Sequence, residues 1–124
     1  MKWLNDAAYL SLATFRRSGA EVRTPVWFAR EASVLYIFSA PDAGKVKRLR
    51  AGSRVRIAPC DVRGGVKGEW LDVAGWLFND ANEITRAHAA LVRKYGWQML
   101  LLDVGARLSG RYARRQYLRI ELPV

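Results

Sequence analysis

Short strand-prone runs separated by turns too tight to hold a helix fill the first part of this chain, and that spacing constrains its fold most. Ala8 to Phe15 (AYLSLATF), Val22 to Arg30 (VRTPVWFAR) and Val34 to Ser39 (VLYIFS) follow one another across Ser18-Gly19 and Glu31-Ala32-Ser33. Parallel neighbours need a crossover of a dozen or more residues, so these runs must pair antiparallel. Pro41 and Gly44 then break the pattern, and Lys45 to Ala51 reads as a short helix closed by Gly52. Arg54 to Val62 alternates as a further strand. After the Gly64-Gly65 turn, Val66 to Phe78 reads as one long strand with a kink or bulge near Gly75. Asn79 to Asn82 offers helix caps. Glu83 to Tyr95 carries the clearest helical stripe (Ile84, Ala87, Leu91, Tyr95), with Gly96 as its left-handed stop. Trp97 to Val104 is apolar and fits either a strand or a helix, Gly105 to Ser109 a loop or helical turn, and Gln116 to Leu122 a last strand. The order β-β-β-α-β-β-α-(β)-β favours a small closed or half-open barrel over a parallel α/β sheet.

The chain has 124 residues, 51% of them hydrophobic and 26% charged, which fits one globular domain over 1–124. Its one cysteine, Cys60, forms no internal disulfide or multi-cysteine metal site, and a reducing, cytoplasmic setting is expected. No apolar run approaches the roughly 20 residues of a membrane-spanning helix. The apolar stretch after Lys2 has Asp6 before it, Arg16 and Arg17 after it and no small-residue cleavage pattern, so it reads as a strand and not a signal peptide. The balance of 21 basic against 11 acidic residues gives a net charge of +10, and an anionic partner follows from it. The excess gathers in Lys45 to Arg56 and in Arg107 to Arg119, neither of which contains an acid.

Two segments could carry chemistry. In Arg23-Thr24-Pro25-Val26-Trp27 a proline interrupts a strand-prone run. Proline withholds a ladder donor, so this is either an edge strand or a strand against which a flat ligand lies. In the stretch from Ser39 to Arg48 a strand ends, a glycine turn follows and a helix opens with Lys45, Lys47 and Arg48. The helix dipole disfavours cations there unless an anion is bound, so this is a candidate phosphate site, although GxxxxGK[ST] is absent.

The segments RTPVWF, GKVKRLR and APCDVRG, with KYGWQ at Lys94 to Gln98, resemble the pyridoxamine-phosphate-oxidase-like split β-barrel proteins, and in particular the F420-dependent and FMN-binding oxidoreductases among them. The resemblance covers residues 8–122. It implies a mainly β fold with inserted helices, a six-stranded antiparallel split barrel, assembled as a homodimer with cofactor sites at the interface. The cofactor implied is FMN or F420. Arg23, Thr24, Pro25, Val26 and Trp27 would run beside its ring, and Ser39, Lys45, Lys47 and Arg48 would hold its phosphate. Trp97 would stack on the ring or pack at the dimer interface. The implied chemistry is hydride transfer by the cofactor to a small unsaturated substrate, with no side chain assigned as catalytic. A cofactor carrier or sensor without turnover is the alternative, and a basic barrel binding single-stranded nucleic acid is a rival from a different class. The segment before Ala8 is short, so a helix common there is expected to be missing or reduced.

The remaining candidates have plainer readings. Cys60 reads as a small core residue and lone His88 as structural or surface, with no metal site. Trp27 is divided between core and pocket. Trp3, Trp70 and Trp76 read as core or interface residues. The Arg107 to Arg119 cluster is either a solvated face or a set of cations reaching an acidic cofactor tail.

Overall fold

The computed structural model describes residues 3–41, 43–51 and 53–123. The expected cap at Gly52, and Asp42 beside the candidate phosphate turn, lie outside the described residues. A one-turn helix α1 (Trp3–Asp6) leads into β1 (Tyr9–Phe15), β2 (Glu21–Val26), β3 (Ala29–Glu31) and β4 (Val34–Ser39). Helix α2 (Gly44–Ala51) precedes β5 (Arg54–Cys60) and β6 (Leu71–Phe78). Helices α3 (Ala81–Tyr95) and α4 (Trp97–Leu108), a 3-10 turn (Tyr112–Arg114) and β7 (Gln116–Glu121) complete the order.

All seven strands join one antiparallel sheet in the order β2-β1-β5-β6-β7-β4-β3. The two ends of that sheet, β2 and β3, are consecutive in the chain and separated only by Trp27 and Phe28. Three Cα–Cα steps of about 3.8 Å span at most about 11 Å. The sheet must therefore curl until its two edges nearly meet, which makes it a half-open barrel split at Trp27-Phe28. The single strand expected over Val22 to Arg30 is broken at this point, so there are seven strands where six were expected.

Alternation then sorts the side chains. Leu10 and Leu12 of β1, Val26 of β2, Leu35 and Ile37 of β4, Val55 and Ile57 of β5 and Leu118 and Ile120 of β7 point inward and form one core. Leu49 of α2 joins this core, and so does Leu4 of α1, with Trp3 edge-on to Phe28 at 6.0 Å. On the outer face of β4, β6 and β7, Tyr36, Phe78 and Tyr117 pack against Ala87, Ala90, Leu91 and Tyr95 of α3 to form a second core. Asp80 caps α3 by accepting from the Glu83 amide at 2.8 Å, within the expected capping segment.

Three other expectations change. Only Leu71–Phe78 of the long strand is formed. Val66 makes a single bridge to Cys60 across the expected glycine turn, closed by hydrogen bonds between Asp61 and Gly65, and residues 67–70 stay irregular. No bulge occurs at Gly75, which pairs in register with Ile120; instead β6 passes there from β5 to β7, pairing with β5 through Ala74 and with β7 from Ala74 on. The apolar run from Trp97 is helical throughout. Gly96, at φ 57° and ψ −128°, joins α3 directly to α4 and does not end in a loop. Among the described residues, no helix is long and apolar enough to cross a membrane.

Candidate functional site

The predicted site residues fall into three groups. The first lies on β2. Among the described residues β2 pairs with β1 alone, so Pro25 is exposed on an edge strand where its missing N–H breaks no ladder. The edge strand, one of the two readings of this proline, is thus present. Val26 is in the barrel core, and Thr24 shares its inward face. Arg23 points outward, pairs with Glu21 at 2.8 Å and lies 4.6 Å from the centre of the Trp70 ring. Arg56 of β5 approaches the same indole at 5.0 Å and also holds Glu21, so Trp70 is fixed between two guanidinium groups. Trp27, at the barrel split, stacks on Tyr95 with ring centres 4.1 Å apart and planes 6° from parallel.

The second group is the start of α2. Lys45 is half-buried, Lys47 is exposed, and Arg48 folds back toward the helix start. The Arg48 Nε donates to Thr14 Oγ1 at 2.5 Å, and a Cβ on Gly44 would meet the same guanidinium at 2.7 Å. A side chain at Gly44 would push this cation aside. Burial pushes the Lys45 ammonium below its ordinary value, and the nearby Arg48 adds to the shift. Burial lowers Arg48 too, with Arg16 contributing. Lys45, Arg48 and Arg16 therefore crowd one positive helix end, and among the described residues none of them has a carboxylate partner. Like charges desolvated together favour an anion there. The two groups adjoin, because Thr14, which holds Arg48, pairs across the sheet with Val22, next to Arg23. Arg16 and Thr14 escaped the sequence reading. Arg16 sits in a turn and Thr14 in an apolar run, and neither position signals that α2 packs over that end of β1.

Ser39 stands apart from α2, in a cavity of about 380 Å³ between the end of β4 and α4. Phe38, Pro41, Leu101 and Leu102 form apolar walls, and Arg111 and Arg115 supply charge. Ligand cavities commonly begin at about this size. Trp97 is 68% exposed at the start of α4, and Leu101 and Val104 are also exposed. Trp76 is exposed on β6 and has no place in either core.

The second basic cluster is not a uniformly solvated face. The Arg115 side chain is buried, donates to Asp103 at 2.7 Å and lies over the Phe38 ring; Arg119 pairs with Glu83 at 2.8 Å. His88 shares Asp103 at 2.7 Å, so it ties α3 to α4, the structural role expected of it. Burial raises the Asp103 carboxyl, but the hydrogen bonds from Arg115 and His88 outweigh it and hold the group below the usual carboxylate range. Cys60 is free and buried, and burial followed by the charge of Asp61 pushes its thiol up. That state suits packing and not nucleophilic chemistry. Among the described residues no cluster of His, Cys, Asp and Glu could hold a metal.

No protein family and no curated protein matches the chain by sequence. Solved structures do match it in fold. The heme storage protein HutZ of Vibrio cholerae superposes with a TM-score of 0.73 at 13% identity, over 99% of this chain and 87% of HutZ. A FAD-binding protein of Mesorhizobium loti gives 0.66 at 19% identity, over 99% and 84%. An F420 reductase gives 0.59 at 20% identity, over 99% and 92%. The curled sheet with its helix-covered outer face is thus the split-barrel fold that these structures share.

Proposed function

We propose that this chain binds FMN or F420 as a homodimer and uses it as a two-electron oxidoreductase, passing hydride to a small unsaturated substrate. The observation that carries the reading is the cationic first turn of α2. Lys45 and Arg48 crowd an N-terminal helix end beside Arg16, and a phosphate would relieve their mutual repulsion. The fold supports it, since similar structures include a FAD-binding protein and an F420 reductase. Lys45, Lys47 and Arg48 would hold the phosphate. Arg23, across β1 from that turn, and Trp27, beyond the far end of β2, would border the ring, and Ser39 and Trp97 would contribute from the α4 side. The bound cofactor would supply the hydride chemistry, and the chain would bind, orient and exclude water. A cytoplasmic location belongs to the same proposal.

Titration of the purified protein with FMN and with F420, followed by fluorescence, tests this. Micromolar or tighter binding of one of them is expected. The Lys45→Ala/Lys47→Ala variant should lose at least about tenfold in affinity, the scale of one to two charge-assisted hydrogen bonds. Binding of neither cofactor would reject the proposal, and an unchanged Kd in the variant would remove these lysines from it.

Similarity to a heme storage protein favours a carrier as the second reading. A Soret band in the protein as isolated, without turnover of any flavin, would support it over the first. Salt-dependent binding to single-stranded DNA without flavin binding would instead favour the nucleic-acid reading.

A further inference from the structure

A cavity of about 240 Å³ lies against the outside of the barrel split and shares no lining residue with the cavity beside α4. Lys94 and Arg93 of α3, Arg30 of β3 and Asn5 of α1 bring polar groups to it, and Leu4 and Ala90 are among its apolar walls. None of these residues belongs to the proposed cofactor site. The Lys94 Nζ donates to the Phe28 carbonyl at 2.8 Å and sits 3.4 Å from the centre of the Phe28 ring. Among the described residues it has no carboxylate partner, which is unusual for a half-buried lysine. Burial lowers its ammonium to about 8, so close to half of it is a free amine in mildly alkaline solution. Arg30 donates from Nε to the Ala32 carbonyl and from Nη1 to Asn5 Oδ1, and Arg93 pairs with Glu31. Both guanidinium groups keep further N–H donors.

We propose that this cavity captures small oxo acids, with the Lys94 amine condensing on the carbonyl carbon and Arg30 and Arg93 taking the carboxylate. The Nζ lone pair adds to the carbonyl, and a proton passes from nitrogen to oxygen to give a carbinolamine. Loss of one water then leaves the C=N bond. No oxidant or reductant takes part, and hydrolysis reverses the step. Desolvated lysines activate in this way, and an arginine pair is the usual recognition for a carboxylate. The capture is independent of the cofactor proposal and is read on protein without cofactor.

The test treats the full chain at pH 8 with glyoxylate and cyanoborohydride, which reduces any imine to a stable secondary amine. Labelled sites are mapped by mass spectrometry, and acetaldehyde serves as the probe without a carboxylate. Lys94 should be labelled by glyoxylate at least about tenfold faster than Lys47 or Lys67, since burial brings its ammonium down to about 8 and the guanidinium groups hold the carboxylate. The preference should vanish in urea. Arg30→Gln/Arg93→Gln should remove the advantage of glyoxylate over acetaldehyde while acetaldehyde still labels Lys94. Labelling of Lys94 no faster than that of Lys67 would overturn the proposal. Equal labelling by the two probes in the unaltered protein would overturn the carboxylate recognition.

Discussion

Tyr95 shows how one side chain can fix the course of the chain. Its hydroxyl donates to the Ala8 carbonyl at 2.7 Å, accepts from the Phe28 amide at 3.0 Å and lies 3.0 Å from the Phe28 carbonyl. The Trp27 indole stacks on its ring, and burial pushes its phenol well above the usual tyrosine value. One residue thus satisfies the backbone where the chain jumps from one sheet edge to the other, a place with no ladder partner. Tyr95→Phe should lower stability by about 1–3 kcal/mol, because it strands the buried Phe28 amide and takes the donor from the Ala8 carbonyl, while the Phe28 carbonyl keeps Lys94; urea denaturation checks this. Asp103 carries a pH dependence. Its carboxyl titrates below the unfolded value near 3.9, so its stabilisation is present above that pH and is lost as the pH falls through the lower folded value. Asp103→Asn should be less stable at neutral pH and should lose less stability than the parent between about pH 4 and pH 2, as thermal melts across that range would show. No motif marks Asp103 in the sequence, since its partners His88 and Arg115 lie 15 residues before it and 12 after it.

The strands were legible where alternation was strict and turns were short. Gly19 at φ 90° closes the β1–β2 turn, and Ala32 at φ 53° sits in the two-residue turn between β3 and β4. The β2–β3 break was not legible, because Trp27 and Phe28 are themselves strand-prone and only the curvature of the whole sheet demands a crossing there. Helix α4 was ambiguous for another reason. Met99 and Asp103 alone are buried in it, four residues apart, while Leu100, Leu101, Leu102 and Val104 are exposed, so the apolar pattern has no single face. The candidate phosphate turn was visible because cations at a helix start violate a local rule; its contact with β1 was not, being long-range. The α3–α4 joint gives a prediction at this scale. Gly96 holds a positive φ that other residues rarely adopt, so Gly96→Ala should destabilise the protein by about 1–3 kcal/mol although a Cβ would meet nothing within 4 Å. A thermal melt reads this loss.

Across the whole molecule, pairing between strands distant in sequence dominates. The last strand, β7, is held between β4 and β6, and β1 between β2 and β5, so that residues 34–39 meet 116–121 and residues 9–13 meet 56–60. Such non-local topology folds slowly, and refolding on the millisecond-to-second scale is expected by stopped-flow fluorescence from the five tryptophans. The same architecture leaves β2 facing solvent along a row of backbone groups beside a chain of high positive charge. An open strand of this kind is a template on which further molecules can stack without limit, and fibrils grow in that way. Pro25, next to the last residue of β2, offers such a visitor no amide. A valine there would return an amide to the row and make this edge a better template for such stacking.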